Sequence, residues 1–133
     1  MKYLIDTNVL SELFRQQPDP QVLDWASRTG RVGLSVVTGE EVIFGLSWRP
    51  KPRLEERILQ FIDEWCEILE ITDAIARISA RMRGDFQRRG ITRDPFDSLI
   101  AATAIAHQLI VVTRNTNDFE GCGAALLNPF QVI

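Results

Sequence analysis

Short apolar runs of strand character alternate with stretches of helical periodicity along this chain, and that alternation restricts its fold more than any other feature. Tyr3-Leu4-Ile5, Val32 to Ser35, Glu67 to Ile71 and Leu109 to Thr113 read as strands, the last most clearly because it is rich in β-branched residues. Ala125 to Leu127 is a candidate for one more short strand. Between them, Val9, Leu10, Leu13 and Phe14 recur at helical spacing up to Pro18. Val22, Leu23 and Trp25 form a second helix ended by Gly30. Thr38 opens a third, with Val42, Ile43 and Leu46 on its inner face and Pro50 and Pro52 beyond its end. Leu54, Ile58, Phe61, Ile62 and Trp65 are helical in period, as are Ile75, Ile78, Met82 and Phe86 before Gly90. Asp94 and Pro95 have the N-cap and first-turn chemistry of a last helix. Strands alternating with helices imply a parallel sheet with helices on both faces. The expectation is a three-layer α/β/α fold with about four to five strands, in a single domain over residues 1–133.

Sheets of this kind bind ligands outside the carboxyl ends of their strands. Polar residues placed just after strands, or opening the helices that follow, are therefore the first candidates. Four acids stand there. Asp6 follows the first strand, where a cap or turn role is its plain alternative. Glu41 follows the second, and Thr38-Gly39-Glu40-Glu41 also fits a capping box. Asp97 is the third residue of the helix begun by Asp94-Pro95, where the helix dipole alone favours a carboxylate. Ala101, Ala102 and Ala104 give that helix a face of small residues, so it packs closely and holds Asp97 rigidly. Asp118 lies in Thr113-Arg114-Asn115-Thr116-Asn117-Asp118, where a turn explains the Asn and Asp residues.

Each acid has an ordinary explanation, but together they crowd one edge of the sheet. Carboxylates within ~4–6 Å of one another repel and take up protons unless a cation compensates. An oxygen-rich, lysine-free cluster suits Mg2+ or Mn2+, and such an ion favours hydrolysis of a phosphodiester. Two other functions are open. A phosphotransfer domain also uses acids at strand ends, but a receiver-like site wants a lysine after its last core strand, and this region has Arg114. An aspartyl phosphatase wants a second Asp two residues after the first, and this chain has Asn8. A non-catalytic binding module acting in a complex on DNA would need a recognition helix from its partner.

Composition narrows the classes further. The net charge is −3, which argues against binding nucleic acid through bulk positive charge. Lys2 and Lys51 are the only lysines, whereas arginines are dense from Arg77 to Arg93. Arg77, Arg81 and Arg88 share one helix stripe and are candidates for phosphate contacts; a solvated face is the alternative. His107 is the only histidine, so a metal-free acid–base pair of histidines is excluded. It stands where a helix ends, and its protonated form suits that dipole. Trp25, Trp48 and Trp65 are expected to pack rather than stack on bases. Cys66 and Cys122 lack metal or redox spacing. No apolar run reaches the ~20 residues of a membrane span, and MKYLIDTNVL lacks the pattern of a signal peptide. A cytoplasmic protein without membrane contact is expected.

Taken as a set, these motifs resemble those of PIN-domain nucleases, specifically toxins of the VapC type. Leu4-Ile5-Asp6-Thr7-Asn8-Val9-Leu10 is similar to the family's opening. Ser35-Val36-Val37-Thr38 through Glu41 to Gly45 is similar to its second motif, and Asp97-Ser98-Leu99-Ile100-Ala101-Ala102-Thr103-Ala104 to its third. Val111-Val112-Thr113-Arg114-Asn115 through Asp118-Phe119 is similar to its last. Ala80-Arg81-Met82-Arg83 and Asn128-Pro129-Phe130 resemble the FitB-like branch. The resemblance covers essentially the whole chain. It implies that Asp6, Glu41 and Asp97 coordinate Mg2+ or Mn2+, with Asp118 as a fourth acid at a position that varies. It makes Thr7, Thr113 and Asn115 supporting residues. It implies endonucleolytic cleavage of RNA, a homodimer, and a cognate VapB-type antitoxin through which DNA is bound. Phe14, Phe44 or Trp48 are candidates to line an antitoxin groove, with plain core as the alternative.

Overall fold

A parallel strand covered by helices on both faces has no side to leave polar, and the central strands of this chain obey that rule. In the computed structural model, which describes residues 1–131, five strands form one sheet. They are β1 (Tyr3–Ile5), β2 (Val32–Ser35), β3 (Cys66–Leu69), β4 (Ile110–Val112) and β5 (Leu126–Leu127). Their order is β3-β2-β1-β4-β5, and every neighbouring pair is parallel. The helices are α1 (Thr7–Leu13), α2 (Pro20–Ser27), α3 (Val36–Trp48), α4 (Pro52–Trp65), α5 (Asp73–Arg88) and α6 (Pro95–His107). A 3-10 turn, Thr116–Phe119, follows β4. The third strand begins and ends earlier than the expected Glu67 to Ile71, because Cys66 already pairs with Val32. Val132 and Ile133, the end of the expected domain, lie outside the described residues.

Successive strand residues feed opposite layers. Leu4 and Val111 pack with Leu69, Ile100, Ala101 and Ala104 on one face. Ile5 and Val112 pack with Val9, Leu10, Val22, Ile58 and Ile62 on the other. All four of those strand residues are fully buried. α1, α2 and α4 therefore form one outer layer, and α6, with Met82 of α5 against its cluster, forms the other. The expected three-layer α/β/α fold is the one observed. The alanines of α6 allow the close approach that their size suggested. Gly33 does the same within β2. A Cβ there would lie 3.0 Å from Leu69 Cδ1 and 3.3 Å from both Leu4 Cδ1 and Leu109 Cδ1.

Helix starts follow local chemistry. Asp19 caps α2 ahead of Pro20, accepting from the Gln21 amide at 2.8 Å. Asp94 caps α6 ahead of Pro95, as expected. α3 departs from expectation. It begins at Val36, not Thr38, and Ser35 is its cap, accepting from the Val37 amide at 3.1 Å. Ser35 ends β2 in extended conformation, so its hydroxyl reaches the first free amide before Thr38 is needed. The capping box of Thr38 and Glu41 is not formed. Thr38 is instead fully buried within the helix, and Glu41 lies a turn further along.

α3 also carries apolar surface outward. Ile43 was expected inside, but it is exposed along with Phe44 and Trp48, the latter two at 66% and 70%. Trp48 thus breaks the expectation that each tryptophan packs. Trp25 obeys it: it is buried and meets Tyr3 and Trp65 edge-on, with ring centroids 5.3 and 6.3 Å away. Cys66 and Cys122 are free thiols, and burial pushes Cys66 up to about 12. Among the described residues no helix is long and apolar enough to cross a membrane.

Candidate active site

The strand order reverses at β1. The chain leaves β1 for β2 on one side and returns much later to place β4 on the other. Such a switch point opens a crevice at the carboxyl ends of the two strands. Asp6 and Thr113 are the residues immediately after β1 and β4.

Asp6 is 7% exposed. Its amide donates to the Val112 carbonyl at 2.9 Å, so the sheet itself sets its position. Its Oδ1 accepts from the Thr7 amide at 2.8 Å and caps α1. Its Oδ2 accepts from the Thr113 hydroxyl at 2.8 Å and from Asn8 Nδ2 at 3.1 Å. Asn8 Nδ2 also donates to Thr113 Oγ1 at 3.2 Å, and Asn8 Oδ1 accepts from the Arg114 amide at 3.0 Å. The Asn115 amide donates to Thr113 Oγ1 at 3.1 Å. Two strand ends are thereby laced together around one carboxylate. Burial raises the pKa of Asp6 above the usual carboxylate range. The bonds from Thr113, Thr7 and Asn8 oppose the rise, and the charge of Asp118 adds to it.

Glu41 is half-buried on α3. Its Oε1 accepts from the Thr7 hydroxyl at 3.2 Å, which ties α3 to α1. Burial raises its pKa first, the Thr7 bond opposes, and Asp6, Asp94 and Glu40 repel it. Asp97 stands in the first turn of α6, its amide donating to Asp94 Oδ1 at 3.1 Å. Burial pushes its carboxyl up to about 7, with further repulsion from Asp6, Asp94, Asp118 and Glu41. Asp118 is exposed in the 3-10 turn, its amide donating to the Asn115 carbonyl at 3.0 Å. Asp97 and Asp118 line one narrow crevice, together with Arg93, Phe86 and Phe119.

The four expected acids therefore act on one another electrostatically, with Asp97 under the charges of Asp6, Glu41 and Asp118, although only Asp97 and Asp118 share the narrow crevice. They do not form a finished cage: among the described residues no three Asp, Glu, His or Cys side chains are gathered as a metal-ligand set. Their chemistry nonetheless fits a hard divalent cation. The donors are oxygens, none of the four acids belongs to an ion pair among the described residues, and the charges pressing on Asp97 are all negative.

The other expected residues divide. Thr7 and Thr113 hold carboxylates through their hydroxyls, whereas Asn115 contributes its backbone. Arg77, Arg81 and Arg88 are exposed on α5, and Arg77 and Arg88 are paired locally with Asp73 and Asp85. His107 ends α6 and is exposed.

Two contributors escaped sequence reasoning. In the sequence Asn8 is only a member of the opening motif and the residue where a phosphatase wants a second Asp, because its bridging role depends on β4 lying beside β1. Asp94 is the cap that the sequence predicts, yet its charge also acts on Glu41 and Asp97. Its adjacency to Asp97 was the available signal.

Known proteins resemble this chain along nearly its whole length. The chain is 33% identical to "VapC ribonuclease Y4jK" of Sinorhizobium fredii, over 96% of this chain and 97% of that protein. It is 36% identical to "Toxin FitB" of Neisseria gonorrhoeae, over 96% of this chain and 98% of that one. A structure of FitAB bound to an IR36 DNA fragment superposes with a TM-score of 0.86 at 31% identity, covering 98% of this chain and 97% of that one. The sequence profile of the PIN domain matches residues 3–121, all of the strands but β5 and every helix that carries one of the four acids. The chain belongs to the PIN domain family.

Proposed function

We propose that this chain is a metal-dependent endoribonuclease toxin that a cognate VapB-type antitoxin neutralises. The observation that carries the proposal is the mutual repulsion of the acids: Asp97 feels the charges of Asp6, Glu41 and Asp118, and none of the four forms an ion pair among the described residues. RNA as substrate is supported by the name of the Sinorhizobium relative, and an antitoxin as partner by the similar toxin–antitoxin complex from Klebsiella pneumoniae.

Asp6, Glu41 and Asp97 would hold a Mg2+ or Mn2+ ion, with Asp118 as the fourth acid. When bound, such an ion acidifies a water and offsets the charge that builds on the phosphodiester. The chain's own residues keep the acids in place. Thr113 and Asn8 orient Asp6, and Thr7 orients Glu41. Hydrolysis adds the water oxygen to phosphorus, breaks one P–O ester bond and sends the water's protons to the leaving oxygen and to solvent. Arg77, Arg81 and Arg88 supply exposed positive charge for RNA phosphates.

A groove of about 590 Å3 runs between α1, α3 and α4, lined by Phe14, Val42, Leu46, Leu54 and Ile58, and it reaches Glu41 and Thr7. It is the place for the antitoxin's apolar side chains, and a cationic residue of that partner would enter the acidic crevice. Phe44 and Trp48 are exposed apolar surface beside it on α3, of the kind that partners cover. DNA binding then belongs to the toxin–antitoxin complex, and the toxin is expected to dimerise within it. The single domain acts in the cytoplasm in this reading.

The test is metal removal. RNA incubated with the purified chain should be cleaved with Mn2+ or Mg2+, remain intact with EDTA, and be cleaved again when Mn2+ is restored. Cleavage undiminished in EDTA would overturn the reading.

A further inference from the structure

Arg93 sits between α5 and α6, far in sequence from the 3-10 turn that carries Asp118, yet its guanidinium is spent on that turn. Nη1 donates to the carbonyls of Asn117 and Asp118 at 3.1 and 3.0 Å, and Nη2 donates to the Glu120 carbonyl at 2.7 Å. Carbonyls at the end of a helical turn have no partner within it and need an outside donor. The Asn117 carbonyl also accepts from the Glu120 amide at 3.4 Å, and Arg93 donates to all three carbonyls at once, which a planar fork of N–H groups does and a single ammonium does not. The guanidinium is itself held, 4.5 Å above the ring of the buried Phe86, with Arg89 4.6 Å from the same ring. Phe86 also closes on Gly121, where an added Cβ would meet the ring at 3.5 Å.

This arrangement bypasses an obvious alternative. Arg93 lines the same crevice as Asp97 and Asp118. Among the described residues it nevertheless forms no ion pair with a carboxylate. It binds the backbone around Asp118 and leaves the carboxylate free.

We infer that Arg93 is a positioning residue: by donating to the carbonyls of Asn117, Asp118 and Glu120 while stacked on Phe86, it fixes the turn that carries Asp118 in the crevice shared with Asp97, so that Asp118 can join Asp97 in holding a divalent cation. The inference rests on the reading of Asp118 as a metal-holding acid, and deepens it.

Mn2+ titrated calorimetrically into the whole chain, without RNA, tests it. Asp118→Asn and Arg93→Ala should each weaken Mn2+ binding by roughly 10-fold, the scale of losses from groups that orient metal ligands. The double variant should bind no more weakly than Asp118→Asn alone. Arg93→Lys should recover part of the affinity. Amide exchange over residues 115–121 should quicken in Arg93→Ala while Val111 and Val112 stay protected. Should Arg93→Ala fail to fold, Arg93→Lys carries the test, because it keeps the charge and loses the fork; wild-type affinity in it overturns the inference. Full Mn2+ affinity in Arg93→Ala, with a loss in Asp118→Asn, also overturns it and leaves the reading of Asp118 intact. Additive losses in the double variant overturn it too, since Arg93 would then act apart from Asp118. Full affinity in Asp118→Asn removes Asp118 from the site and the inference with it.

Discussion

Asp97 carries the strongest electrostatic load of the four acids, and its consequence for stability has a definite sign. Its carboxyl is raised from 3.8 to about 7, first by burial and then by Asp6, Asp94, Asp118 and Glu41. Between those values the folded chain binds more protons than the unfolded one, so stability falls as pH rises through that window. Asp97→Asn removes the repulsion. Urea unfolding in EDTA at pH 8 should find this variant about 1–2 kcal/mol more stable than the wild type, a figure well below the full shift because Asp97 is half-exposed and water screens it. Equal stability at pH 8 would contradict the assigned repulsion. Asp6 behaves differently, because its carboxylate is tied down as well as buried. Thr113→Val removes the 2.8 Å bond to Asp6 and strands the Asn115 amide. A loss of about 1–3 kcal/mol is expected in the same unfolding measurement.

Elements translate those residues into geometry. β2 leaves little room for a side chain at Gly33, where the methyl ends of Leu4, Leu69 and Leu109 close in. Gly33→Val should destabilise by about 1–3 kcal/mol through overpacking, read as a lowered urea midpoint without a change in slope. α6 ends with Gln108 in the left-handed region at φ 57°. Gln108→Gly relieves that conformation and should stabilise by about 0.5–1 kcal/mol. α5 presents Arg81 without an ion-pair partner among the described residues, whereas Arg77 and Arg88 are engaged with Asp73 and Asp85. Arg81→Ala should therefore weaken RNA binding and reduce its salt slope by about 1, measured by titration at several salt concentrations. The helical periods and the Asp94-Pro95 start were legible in the sequence because they depend on neighbours within a turn. The start of α3 was not, since Ser35 and Thr38 are both good caps, and only the end of β2 decides between them.

At the scale of the whole molecule, function depends on contacts that sequence separates. The parallel α/β/α architecture was legible from the alternation of strands and helices. So was the place of Asp6, because strand ends of such a sheet form the crevice where the sheet reverses, and Asp6 directly follows β1. Asn8 bridging Asp6 to Thr113 was not, because it joins strands whose adjacency is set by topology alone. Arg93 is a similar case, joining the α5–α6 connection to the turn after β4. The outward turn of Phe44 and Trp48 was hidden for another reason: aromatic residues at helical spacing serve core and partner surfaces alike. The central claim is that these separated acids form one hydrolytic centre. Asp6→Asn tests it most directly, because Asn still caps α1 and keeps the fold while weakening the negative charge set. Cleavage of total RNA with Mn2+ should fall by at least roughly 100-fold in Asp6→Asn with its thermal unfolding little changed. Cleavage at the wild-type rate by folded Asp6→Asn would contradict the claim.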